Sequence, residues 1–563
     1  MMLLRAFLFL VACLCCITLS AAAGDSSKPH IIYFLVDDQG FNDMGYNSIT
    51  TNKTFGNMSL FTPHMDNFAK KSIKLTNYYT EFLCTPARAS LLTGKNPIHT
   101  GMQSNVIYVG SPYGLPLEHK LMPEYLKSQG YVTHMVGKWH LGSFNSQYLP
   151  NSRGFDSFLG YLNGEEDYYG KYQAYSGHTI FDFFFNEMPI KDDSILGLYS
   201  LDSYDMRVRQ IIQEHDASEP LFLYYSTQAI HHPFSEPPTS MLTDYQYELG
   251  SKMRKDVKDA RGLLAETSAA MDFTFLNLMS YLQEKGMYEN SVIVVASDNG
   301  GCSYKGGDNY PLRGQKQTLF EGGVRVNAFV HSPLLPEATQ GTEFDCMFHV
   351  VDWLPTLVEG VAGVQTAPDI DGVNHWEALM KNFGVSAGQT CYRSEMLHNI
   401  NVMIDDSSGL PSQDTLQASL RLNNLKLVYG QYEEGWWTST EFSDENCDLA
   451  SYDFGFPPFG YVFDIEEDPE ERHNLIDKVD EASLATLWST LDRYFDSMTA
   501  PAAREIDPTA IYAFLENDNF VLPWVSNEDL IDPQDPFMKE MQEENEIDEI
   551  DEHSHPDMVP HSS

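Results

Sequence analysis

At 563 residues, 42% hydrophobic and 13% aromatic, the chain can bury a large core and offset the entropy of ordering most of its length, which excludes fibrous, collagen-like and wholly disordered classes. Its formal net charge of -45 excludes nucleic acid and an anionic membrane surface as partners. An anionic substrate is opposed by the same charge, unless a divalent cation and a few basic residues make one pocket locally positive.

Residues 1–23 read as a secretory signal peptide: Arg5 is the positive start, Ala6 to Leu19 the apolar run, and Ala21-Ala22-Ala23-Gly24 the small residues for cleavage. That run is short of the about 20 residues a membrane span needs, so no stable membrane anchor is expected. The protein is expected in the secretory pathway, extracellular or lysosomal, and Asn52-Lys53-Thr54 and Asn57-Met58-Ser59 fit as glycan acceptors. Ile31–Val36 is an apolar run ending abruptly in Asp37-Asp38-Gln39-Gly40, as expected of a strand buried on both faces. Pro220–Tyr225 and Ser291–Ala296 repeat the design, ending near His231-His232-Pro233 and in Ser297-Asp298-Asn299. Helix-like stretches at Glu124–Gln129 and Leu263–Lys285 alternate with them, which predicts an α/β domain over 28–375 with ligands beyond the carboxyl ends of its parallel strands.

After residue 375 the texture changes to short polar segments, and Ser419–Leu422 and Lys426–Tyr429 around Asn423-Asn424 predict a hairpin. With Tyr461–Ile465 as a further strand, 376–525 reads as a smaller antiparallel α+β domain, and the acidic tail 526–563 reads as disordered. Of 8 cysteines, Cys13, Cys15 and Cys16 leave with the signal. Cys302, Cys346, Cys391 and Cys447 can form two disulfides in any of three pairings.

Several segments carry chemistry. Cys84-Thr85-Pro86-Ala87-Arg88 runs into Ala89-Ser90-Leu91-Leu92-Thr93-Gly94; a lone cysteine before a helix is a buried structural residue or a thiol nucleophile. Asp37-Asp38 and Asp298-Asn299, each after a predicted strand, offer the hard oxygen ligands that calcium or magnesium requires, although a single such pair also suits a solvated turn. In Gly137-Lys138-Trp139-His140-Leu141-Gly142 the lysine and histidine share a face if the backbone is extended. His231 follows a predicted strand, and Lys316 lies in the glycine-rich loop Gly306–Lys316 before Glu321-Gly322-Gly323.

Taken together, Cys84-x-Pro86-x-Arg88 with Leu91-Leu92-Thr93-Gly94, the Lys138–His140 segment and the two strand-end acidic pairs resemble the signatures of the formylglycine-dependent sulfatases, from about Ile31 to Leu475. Asn77-Tyr78-Tyr79, Arg153-Gly154-Phe155-Asp156, Glu166-Asp167-Tyr168-Tyr169 and Met396–Ile400 resemble the arylsulfatase B, or N-acetylgalactosamine-4-sulfatase, group within that family; the acidic tail and sparse cysteines depart from it. The resemblance implies an alkaline-phosphatase-like, mostly parallel sheet sandwiched by helices, followed by the small antiparallel domain. It also implies hydrolysis of sulfate esters, with a sulfated carbohydrate or aryl sulfate as substrate. One calcium ion would be held by Asp37, Asp38, residue 84, Asp298 and Asn299, and Cys84 would be converted to formylglycine by a formylglycine-generating enzyme during maturation. By the same resemblance Arg88 holds the modified residue, Lys138 and Lys316 contact the sulfate oxygens, His140 hydrogen-bonds the aldehyde hydrate, and His231 protonates the departing alcohol. Two alternatives stand beside it. A phosphodiesterase or phosphonate hydrolase of the same superfamily would need paired metals, for which the sequence offers no evident extra His/Asp ligands. A non-catalytic binder of sulfated glycans would have no need of the full set of site residues.

Overall fold

The computed structural model describes residues 28–48, 57–256, 259–381, 384, 388–401, 416–431 and 460–527. The expected signal peptide, the expected acceptor at Asn52, Cys447 and the acidic tail beyond residue 527 lie outside the described residues. No helix among the described residues is long and apolar enough to cross a membrane.

Ten strands form the main sheet: β1 His30–Val36, β2 Ile73–Leu75, β3 Val132–Lys138, β4 Ser157–Tyr161, β5 Phe184–Phe185, β6 Met188–Pro189, β7 Leu221–Ser226, β8 Ser291–Ser297, β9 Ala328–His331 and β10 Glu343–Phe344. Their order is β10-β2-β9-β8-β1-β7-β3-β4-β5-β6. The five strands from β8 to β4 are mutually parallel, while β9 and β5 flank them antiparallel. Period-two alternation explains why the central strands are apolar throughout. Ile31, Tyr33 and Leu35 of β1 enter one core with Ala89, Leu91 and Trp353. Ile32, Phe34 and Val36 enter the other, against the helices Ser200–Glu214 and Asp259–Glu284, through residues such as Ile211 and Phe275.

Close backbone approach sets the pairing of β3. A Cβ on Gly137, whose φ is +102, would meet the Ser226 carbonyl oxygen at 1.8 Å, and one on Gly160 would meet the Gly137 carbonyl oxygen at 1.9 Å. Gly137→Ala is therefore expected to cost at least about 2 kcal/mol, through backbone strain and overpacking together. A denaturant midpoint unchanged from the parent would contradict this.

A second sheet holds β11 Glu395–Asn401, β12 Gln417–Leu422, β13 Leu425–Tyr429 and β14 Tyr461–Asp464, antiparallel and in chain order. The predicted hairpin is present: Leu422 pairs with Leu425 around a two-residue turn in which Asn423 has φ +53. One face packs on the helix Glu481–Asp496 through Leu487, Trp488 and Leu491. Met396, Val428 and Phe463 on the other pack against Phe82, Leu83 and Leu319, directly behind the site described below. From Thr499 the chain returns to the larger unit, bonding along it at Ile98, Gly101, Gly110, Phe181 and Phe144. Of the cysteines left open by sequence, Cys346 and Cys391 are joined across 45 residues, and Cys302 is a free thiol.

Candidate active site

Cys84 opens the helix Cys84–Thr93, which the local sequence sets up in three ways. Pro86 lies in the first turn, where its missing N–H has no intrahelical partner to lose. Gly94 closes the helix in the left-handed conformation, φ +68. Arg88 follows Cys84 by four residues and so lies one turn along the same face. Every residue of this helix is buried.

Beyond the ends of β1 and β8, Cys84 Sγ lies 3.8 Å from Asp37 Oδ1 and 3.9 Å from Asp38 Oδ1. Lys138 Nζ, at the end of β3, donates to Asp37 Oδ2 at 2.8 Å, and Lys316 Nζ is 2.7 Å from Asp38 Oδ1. Asn299 Nδ2 donates to Asp38 Oδ1 at 2.7 Å, and its Oδ1 is buried without a hydrogen-bond partner. Ligand atoms of Asp37, Asp38, Cys84 and His231 lie within 4.8 Å of one another. Asp298 stands differently: its Oδ1 accepts from the Asp38 amide at 3.1 Å and its Oδ2 from Arg88 Nε and Nη2 at 3.1 and 2.7 Å. Arg88 also donates to the Lys138 carbonyl and to Ser226 Oγ, so its guanidinium ties three strand ends together.

Electrostatics separate the roles. Burial pushes the Cys84 thiol up to about 12 despite Lys138 and Lys316, so an ordinary thiolate is scarce near neutrality. Burial would also raise Asp38, but Lys316 and Lys138 outweigh it and hold that carboxyl below the usual range. Burial and then the cations around them hold both active-site histidines well below the ordinary imidazole value, so both rings are neutral. Their hydrogen bonds then fix the tautomers, since a carbonyl can only accept. His140 Nε2 donates to the Ile107 carbonyl at 2.9 Å, which leaves its buried Nδ1 a free acceptor. His231 Nδ1 donates to the His232 carbonyl, so its Nε2 is the acceptor facing Lys316 Nζ at 3.2 Å.

The structure thus gathers all the predicted residues, with three differences of detail. Lys138 and His140 reach the site without both being extended, because His140 has φ +62. Arg88 engages Asp298 and Ser226 around the nucleophile position. A second cluster of groups able to ligate lies beside the site: Glu165 and His232 approach His231, with His232 Nδ1 3.4 Å from Glu165 Oε2. Several supporting groups carried no signal of their own. Ser226 lies one residue past a predicted strand, the Ile107 carbonyl has no side-chain signature, and Tyr168, within a segment quoted above for its resemblance, donates from its hydroxyl to the His231 carbonyl at 3.0 Å.

Buried carboxylates, a cysteine and two lysines beyond the carboxyl ends of parallel strands suit a site for an anionic ester. Residues 29–364 match the family model described as Sulfatase, and the chain belongs to the sulfatase family and is a sulfuric ester hydrolase. It is 37% identical to arylsulfatase J of Mus musculus over 473 residues, 81% of this chain and 74% of that protein. It is 29% identical to N-acetylgalactosamine-6-sulfatase of Homo sapiens over 402 residues, 67% and 70% of the two chains. Among solved structures, the crystal structure of Ps i-CgsB matches with a TM-score of 0.66 and 25% identity, covering 88% of this chain and 97% of that one.

Proposed function

We propose that this sulfatase acts on the sulfate esters of a sulfated carbohydrate, with aryl sulfates as simpler substrates, using one calcium ion and a formylglycine made from Cys84. A charge balance carries the reading: three buried carboxylates, Asp37, Asp38 and Asp298, face three cations, the buried Arg88 and Lys138 and the partly buried Lys316. That set is neutral, and a divalent cation added to it leaves the positive surplus a sulfate ester needs inside an acidic protein. Asp37, Asp38, Asp298 and the orphaned Asn299 Oδ1, with residue 84, are a donor set that fits calcium. Bound there, calcium would supply positive charge at the sulfate oxygens.

Formylglycine would supply a hydrated aldehyde with one hydroxyl to attack sulfur and a second to release sulfate afterwards. Lys138 and Lys316 hold the oxygens of the ester, and Arg88 fixes Asp298 and the strand ends around residue 84. His140 Nδ1, unprotonated and buried, accepts the proton of a hydroxyl at residue 84. His231 Nε2 is an acceptor in the resting arrangement, so it protonates the leaving oxygen only after gaining a proton. A sulfated sugar is supported by the name of the 6-sulfatase relative. The arylsulfatase B grouping, a catalytic unit over 28–375, a smaller unit over 376–525, a removable signal and an extracellular or lysosomal destination belong to the same reading.

Protein from a secretory host is expected to carry an aldehyde at position 84, seen in the mass of the peptide containing it, and to lose activity reversibly on calcium chelation. Fully active enzyme with an intact thiol, or a preference for phosphate monoesters over every sulfate tested, would overturn the reading.

A further inference from the structure

Lys316 occupies an unusual turn. Thr318 N–H donates to the Gln315 carbonyl at 2.9 Å, closing a four-residue turn with Lys316 and Gln317 at its centre. Gln317 has φ +75, a conformation that favours glycine at the third position of a turn. Non-glycine residues persist there only where their surroundings hold them. Here the holding groups come from far away in sequence. Gln317 N–H donates to the Phe82 carbonyl at 2.9 Å, two residues before Cys84. From just beyond the end of β13, the buried Gln431 clamps the other side of the turn. Its Nε2 donates to the Gln317 carbonyl at 3.1 Å, and its Oε1 accepts the Leu319 N–H.

The packing around this clamp is continuous. Leu319 and Phe320 join Val428, Tyr461 and Phe463 in one apolar cluster, and Lys426 of β13 bonds Glu321 and Glu471 at 2.8 and 2.9 Å. The small sheet therefore fixes the backbone that follows Lys316 in the turn from which this side chain reaches Asp38 and His231.

We propose that Gln431 is a positioning residue for Lys316, which makes the C-terminal sheet part of the machinery that grips the sulfate group. The inference rests on the sulfate-contacting role of Lys316 proposed above. Gln431 touches no reacting atom; it acts by holding the Gln317 peptide in its left-handed conformation.

The test is a double-mutant cycle with a chromogenic aryl sulfate, alongside the inhibition constant of inorganic sulfate, which reads the grip without turnover. Gln431→Ala is expected to lower kcat/KM about 10- to 100-fold and to weaken sulfate inhibition by a similar factor. In the Lys316→Ala background the same change is expected to cost less than about twofold, since the residue it positions is gone. Gln317→Gly is expected to recover much of the loss in Gln431→Ala, because glycine adopts φ +75 without support. Gln431→Asn, one methylene too short to reach both groups, serves the same comparison should the alanine variant not fold. Equal losses in both backgrounds, or no recovery by Gln317→Gly, would overturn the positioning role. Wild-type activity in Lys316→Ala would instead refute the role of Lys316 and the inference with it.

Discussion

Cys84→Ser is expected to release about one equivalent of alcohol per active site and then stop, with steady turnover at least about 1,000-fold below the parent. Serine nearly matches cysteine in shape, and residue 84 is only 1% exposed at the start of a wholly buried helix, so the fold is expected to survive. A serine hydroxyl can attack sulfur, with His140 Nδ1 to accept its proton. The resulting serine sulfate has no second hydroxyl on the same carbon, so the elimination that frees sulfate is closed to it. A stopped-flow burst of chromogenic alcohol, followed by a sulfated peptide in the mass spectrum, is the expected signature. Continuous turnover by the serine variant at a tenth of the parental rate would show that an ordinary hydroxyl suffices.

Asp298→Ala is expected to abolish calcium binding and activity together, and to destabilise the fold by about 3–5 kcal/mol. Both effects follow from one carboxylate. Its Oδ2 takes two donors from Arg88, whose side chain is fully buried, and its Oδ1 takes the Asp38 amide. Alanine takes from the buried guanidinium its nearest carboxylate, leaving Asp37 at 3.5 Å as its ion-pair partner among the described residues, and frees the Asp38 backbone, whose φ of +58 aims that second carboxylate. Asp298→Asn separates the consequences, since it keeps the shape and an acceptor while removing the charge. Calorimetric calcium titration should show weakened binding in the asparagine variant with a smaller loss of stability than in the alanine one. Parental activity in metal-stripped protein would contradict the calcium assignment.

Much of this was legible in the sequence where residues are adjacent to what they serve. Ile31–Val36 and Ser291–Ala296 announce buried strands, and the acidic pairs at their ends fall where a parallel sheet places ligands. The turn at Asn423-Asn424 fixes the register of its hairpin through backbone conformation alone. What was not legible is whatever joins distant segments. Arg88 is visible as a motif residue, yet its partners Asp298 and Ser226 are set by the neighbouring of β8, β1 and β7. The orientation of His231, an acceptor toward Lys316, depends on the carbonyl of the very next residue, and no spacing rule carries that. Glu165 meets His232 only because the connection after β4 crosses the end of β7. Gln431 lies 115 residues beyond Lys316 and sits beside no motif.

The burial of Cys84 also sets an order of events in the life of the chain. Its side chain sits beneath Asp37, Asp38, Lys138 and Lys316, groups drawn from three separate stretches between residues 37 and 316. Once those stretches have come together, a second protein can no longer reach the sulfur without unfolding the centre of the molecule. Any enzymatic conversion of that cysteine therefore has a narrow window, after residue 84 emerges and before the sheet closes over it. A chain folded first with its thiol intact would be locked out of maturation, and adding the modifying enzyme to native protein afterwards would come too late.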